Sequence, residues 1–178
     1  MKPLALTALL VCSLARADVV VDGQKVARDF LPVGALVTVN SHGPEGVLGG
    51  LGGEISYVHY LGFGDVYGNL GIGPVAQVQM VNADHVRGAL GFEANILFLG
   101  LSLAAAIEQG DQTRNANTVF LDLTPYVTFG FVSLGFRVGI PVGAWGSGVQ
   151  QPIELGGAFT IKFPIPLGGR FPRIRRAL

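Results

Sequence analysis

The sequence predicts an all-β fold: a closed eight-stranded antiparallel barrel, an up-and-down meander whose strands cross a membrane. Three observations predict it. Of 178 residues, 49% are apolar and only 13% charged, against about 25% charged in an ordinary soluble domain. Side chains alternate between two chemistries with a period of two, which is the spacing of a strand. Beyond the N-terminus no run reaches the ~20 apolar residues of a membrane helix, and 27 Gly between short apolar runs argue against a helical bundle.

The elements follow in chain order. Residues 1–17 read as a secretory signal: Lys2 supplies the positive start, Leu4 to Leu14 the apolar run, and Ala15-Arg16-Ala17 the small-x-small cleavage pattern. Cys12, the only cysteine, leaves with it, so the mature chain is expected to have neither disulfide nor thiol chemistry. Val11 before it is not the small residue of a lipoprotein signal. An exported chain without disulfides suits the periplasm or outer membrane better than a small secreted scaffold. Residues 18–30 form a lead-in, 31–164 the barrel, and 165–178 a basic tail.

Two weaker strand candidates come first, at about 32–41 and 51–61. From 66 to 80, Val66, Leu70, Ile72, Val78 and Met80 share the even positions, opposite Asn69, Gln77 and Gln79. Four further segments continue the pattern around Leu90 and Phe92, Leu101 and Leu103, Leu121 and Leu123, and Leu134 and Phe136. Leu155, Phe159, Ile161 and Phe163 close the series, giving eight strands. Pro74 and Pro125 fall inside strands, where they cannot donate a ladder hydrogen bond, so a bulge is expected at each. The connections at 42–50, 109–117 and 143–152 are long, that at 81–85 shorter, and those at 62–65, near 99 and near 130 tight. An even strand number with long and short connections alternating is the pattern of an outer-membrane barrel.

Alternation alone does not decide which face is inside. A soluble lipocalin-like barrel would turn the apolar face inward, as a lipid carrier. Here the polar face is crowded with Gly, Ala, Ser and Thr and carries one or two charges per strand. Small residues suit the cramped interior of a narrow barrel. The Leu, Val, Ile and Phe face is then left to meet lipid, where a closed barrel pairs every backbone group.

The architecture over residues 31–164 resembles the small eight-stranded outer-membrane barrels of the OmpA/OmpX kind. That resemblance implies an anchor, adhesin or structural tether, sometimes with minor ion conductance. It also implies outer-membrane lipid and lipopolysaccharide as surroundings and the barrel-assembly machinery as a transient partner. Such barrels end on an alternating apolar strand with a terminal Phe, which Leu155, Phe159, Ile161 and Phe163 resemble. Pro164 and a further tail depart from the pattern.

The chemistry-bearing residues are few. The inward face is expected to hold Glu54, Arg87, Glu93, Glu108, Asp122, Arg137, Glu154 and Lys162. An unpaired buried charge costs several kcal/mol, so these groups are expected to pair and plug the interior. A gated ion path or a proton relay would use the same groups. Tyr57, Tyr60, Phe63, Phe98, Phe129, Phe131, Trp145 and Phe163 lie near strand ends, as aromatic girdles do.

A lipopolysaccharide-modifying enzyme would need a nucleophile in reach of a histidine base. Ser56 and His59 fall on opposite faces of one strand, and Ser41 and His42 belong to a loop, so no enzyme is expected. His42, His59 and His85 lack ligand spacing, and no metal or cofactor is expected. The glycines from Gly46 to Gly53 precede no Gly-Lys-Ser/Thr and read as bends. The tail carries Arg170, Arg173, Arg175 and Arg176 and no acid, whereas residues 18–164 hold 6 basic and 12 acidic residues, a net −6. A basic periplasmic tail suits anionic headgroups or an acidic partner; export excludes nucleic acid.

Overall fold

A computed structural model describes residues 19–21, 24–41, 46–61, 70–110 and 115–168. The leader, His42, Phe63 and the four tail arginines lie outside the described residues. No helix long and apolar enough to cross a membrane is among them. The lead-in holds a small hairpin, β1 (Val19–Val21) against β2 (Gln24–Val26). A second sheet contains β3 (Asp29–Ser41), β4 (Val47–Ser56), β5 (Val58–Leu61) and β6 (Leu70–Val81). It continues through β7 (His85–Ile96), β8 (Leu99–Glu108), β9 (Asn117–Phe129), β10 (Val132–Trp145) and β11 (Glu154–Leu167).

This sheet is antiparallel throughout and closes on itself, because β11 pairs with β3 from Leu155–Ser41 to Leu167–Asp29. β4 and β5 are two pieces of one course: both pair with β3 and β6 in a single register, interrupted only at Tyr57. The nine segments therefore make a barrel-like ring of eight courses. We call the end carrying Asp29 and Leu167 the lower end, and the end carrying residues 82–84 the upper.

Pro74 explains the interruption at Tyr57. The Tyr57 amide donates to the Pro74 carbonyl at 3.0 Å, but proline has no N–H to return the bond. No bulge forms there, since the register is the same on both sides. At Pro125 the β9–β10 ladder skips a stretch, again without a register change. The one-residue shift expected of a bulge sits instead near Pro141, between Pro141 and Gly143 on β10.

Several boundaries differ from the sequence reading. β3 starts at Asp29 and β11 runs to Leu167, so the ring spans 29–167 and takes three residues assigned to the tail. Val47–Gly50 belong to β4 and Gly143–Trp145 to β10, which shortens two of the upper loops. The expected tight connection at 62–65 and the start of the next strand at 66 lie outside the described residues.

Two lower turns are tight, at Leu97-Phe98 and Gly130-Phe131. Gly130 sits at φ 63°, where a two-residue hairpin loop favours glycine. The upper turn places Asn82 at φ 53° and Ala83 at φ 58°. Asn tolerates that region, but a Cβ costs about 1 kcal/mol there. Ala83→Gly is therefore expected to stabilise the folded protein by up to about 1 kcal/mol, read as a raised urea midpoint with unchanged slope.

Inside and outside differ in chemistry. Leu36, Ala106 and Phe120 are fully buried in the interior, beside Thr38, Asn40, Gln79 and the charged residues. Outward positions are mostly apolar on every course, among them Val37, Leu51, Val78, Leu90, Leu103, Leu121, Phe136 and Phe159, all exposed.

Candidate functional site

Among the described residues, charged side chains converge in greatest number in the interior. Because the courses alternate, Glu54, Arg87, Glu93, Glu108, Asp122, Arg137, Glu154 and Lys162 all point inward. Seven are buried and Lys162 is partly so. The structure brings them together as two stacked groups, a division that depends on strand stagger.

The upper group centres on Arg87. Its Nη1 donates to Glu108 Oε2 at 2.6 Å and to Glu154 Oε2 at 2.8 Å, and its Nη2 to both Asp122 oxygens at 2.7 and 2.9 Å. Four strands, β7, β8, β9 and β11, are tied through one guanidinium. The planar fork suits this role, because one side chain presents several donors in fixed directions. The guanidinium also lies 4.7 Å from the Phe120 ring centroid, a distance at which the ring face attracts a cation. Arg137, on β10, stands 4.0 Å from Asp122 and donates to Gln77 Oε1 at 3.1 Å.

The lower group centres on Lys162. Its ammonium pairs with Glu54 and, at 2.9 Å, with Glu93. Gln77 Nε2 donates to Glu54 Oε2 at 2.6 Å, so Gln77 links the two groups through Arg137. Sequence reading missed Gln77 and also Gln79, whose Oε1 accepts from Thr38 at 2.9 Å. Their inward parity beside Val75 and Val81 was the available signal.

The two ends differ. Arg87, Glu108, Thr118 and Glu154 are at most 1% exposed, and Gln151 from the 146–153 connection is buried beside them, its amide donating to Thr118 Oγ1 at 3.2 Å. At the lower end a cavity of about 230 Å³ opens between Tyr60, Glu93, Asn95, Tyr126, Phe131 and Lys162. A smaller space of about 30 Å³ above it reaches Arg137 and shares Glu93, Tyr126, Ser133 and Lys162 with the cavity.

The aromatic residues do not form one set. Phe98, Phe129, Phe131 and Phe163 are exposed near the lower rim, with Phe131 stacked on Phe163 at 5.7 Å, and Trp145 is exposed near the upper. Tyr60 is a correction: it turns inward, edge-on to buried Phe30 at 5.7 Å, because it shares parity with Glu54, Ser56 and Val58. Tyr57 is tethered, its hydroxyl donating to Asp29 Oδ1 at 2.5 Å.

Ser56 is buried inside, whereas His59 lies on the opposite face with Nδ1 2.7 Å from Asp29. The two are not brought together. His85 Nδ1 lies 3.6 Å from Asp84. Among the described residues no group of three or more His, Cys, Asp or Glu is placed to hold a metal ion.

No protein-family model, curated protein or solved structure matches this chain.

Proposed function

We propose that this chain is an integral outer-membrane β-barrel, a membrane-embedded scaffold for anchoring or interaction, with a plugged polar interior. One observation carries the reading: the two faces are inverted relative to a protein that folds in water. Leu90 is 71% exposed and Phe92 69%, while Arg87 and Arg137 are each 1% exposed. An apolar surface on every course far exceeds the few hundred Å² that soluble monomers leave bare. Lipid is the solvent that favours such a surface, and a closed ring leaves no unpaired edge within it.

The same inversion counts against the lipid-carrier reading, which needs an apolar interior. The enzyme reading is weakened by Ser56 and His59 lying on opposite faces. The Arg87 group closes the upper half of the interior, which favours a scaffold over a conducting pore. In this reading the upper connections at 42–46, 109–116 and 146–153 face outward from the cell. Both chain ends face the periplasm, and the tail arginines meet anionic headgroups or an acidic partner there. Lipopolysaccharide and the assembly machinery are its expected contacts, after export by the leader.

Cell fractionation with unboiled and boiled gel mobility tests the proposal. The protein is expected in the outer-membrane detergent extract, with a mobility that shifts on heating. Recovery in osmotic-shock fluid without a heat shift would overturn it.

A further inference from the structure

The lower cavity is held open by the sequence. Tyr126 lies back against Gly100, where an added Cβ would strike the ring. Asn95 and Tyr60 lie against Gly71 in the same way, with the Tyr60 ring 2.9 Å from such a Cβ. Two aromatic walls are braced from behind, Tyr60 by Phe30 and Phe131 by Phe163. Inward glycines thus let the rings recline instead of filling the mouth, and about 230 Å³ stays open. That volume is below the roughly 300 Å³ at which drug-sized sites begin, and it accommodates a single small ring.

The lining fixes the ligand's chemistry. Tyr60, Asn95, Tyr126, Thr128 and Ser133 offer hydroxyl and amide groups, and Glu93 adds an acceptor. Lys162 is already engaged by Glu54 and Glu93, so an incoming ion would have to displace an existing pair. A neutral ligand need not. Aromatic faces interleaved with polar groups match a ring that has C–H faces and hydroxyl edges. The inner end of the site is lined by Glu93 and Lys162, and only about 30 Å³ of space continues beyond it toward Arg137, so entry is from the lower end.

We propose that this vestibule binds a neutral, hydroxyl-rich ring of monosaccharide size. The inference rests on the interior and is independent of what covers the outer face. Binding is expected to be weak, near millimolar, because one small ring offers few contacts against the cost of immobilising it.

Methyl β-D-glucopyranoside titrated into the folded full-length protein, with tyrosine-selective NMR labelling, tests it. The ring signals of Tyr60 and Tyr126 are expected to shift saturably, while Tyr57, on the outer face, stays unmoved. Thr128→Val and Ser133→Val, which spare the paired charges, are expected to weaken binding roughly three- to tenfold each. Gly100→Ala, which drives Tyr126 into the mouth, is expected to abolish it, with gel mobility reporting that the ring still closes. Absence of a saturable shift with the glycoside would overturn the proposal. Equal or tighter saturation by methylammonium chloride would also overturn it, since the vestibule would then be a cation site.

Discussion

Replacing Arg87 by Met is expected to destabilise the folded protein by about 3–5 kcal/mol, the cost of breaking a buried ion pair from one side. The reason is geometric. Glu108, Asp122 and Glu154 all meet the Arg87 guanidinium within 2.9 Å, and each is nearly inaccessible to water. Without Arg87 they face one another, with Arg137 4.0 Å from Asp122. Arg87→Lys is expected to recover only part of the loss, because a single ammonium cannot reach all three carboxylates in the directions a fork supplies. Adding Glu108→Gln and Glu154→Gln to Arg87→Met removes two uncompensated charges and is expected to restore much of the stability. Urea unfolding of the refolded variants reads the series. A loss no larger than the about 1 kcal/mol of an exposed ion pair would mean that water reaches the group and that the upper half is not sealed.

The second large effect concerns the outer face. Leu103 lies mid-way along β8, opposite Phe92 and Leu123, and is 48% exposed. In a membrane, Leu103→Arg is expected to cost about 2–4 kcal/mol, whereas an arginine near the membrane surface costs only about 0–1. Leu99, at the lower end of the same strand, provides that comparison through Leu99→Arg. The depth dependence is the discriminating feature, because a water-exposed face would tolerate arginine equally at both positions. Equal and small effects in a reconstituted bilayer would remove the membrane from the proposed function.

How much of this was legible from the chain depends on side-chain content. β6 to β11 announce themselves because most of their outward positions are apolar side chains, Leu, Ile, Val and Phe foremost. β4 does not: in Val47–Ser56 four positions are Gly, which carry no alternating signal, so its first residues read as loop. Two of them, Gly50 and Gly52, are required by crowding. A Cβ on Gly52 would run into the Val78 carbonyl and, at 2.6 Å, the Gln79 backbone. Tyr60 was misassigned because nearness to a strand end says nothing about face, whereas counting by twos from Glu54 points it inward. The inward set of eight charged residues follows from parity alone. Their division into an Arg87 group and a Lys162 group does not, because relative heights depend on strand stagger. The glycine-backed walls of the vestibule are likewise products of register, which pairs Gly100 with Tyr126 and Gly71 with both Tyr60 and Asn95.

The seam between β3 and β11 has a consequence for the order of folding. Neighbouring courses elsewhere follow one another in sequence and can zip together locally, but the seam joins Asp29 to Leu167 and Ser41 to Leu155. It is the most distant strand pairing among the described residues, and contacts of long sequence separation form late. Its ladder continues without interruption along both strands. Until it forms, the sheet is an open trough with two bare edges and with Glu154 and Lys162 still away from their partners on β4 and β7. Those bare edges are templates for pairing with another chain. Shortening the chain ahead of Glu154 would make that trough permanent, so the hazard of self-association belongs to the unfinished molecule and ends when the last strand meets the first.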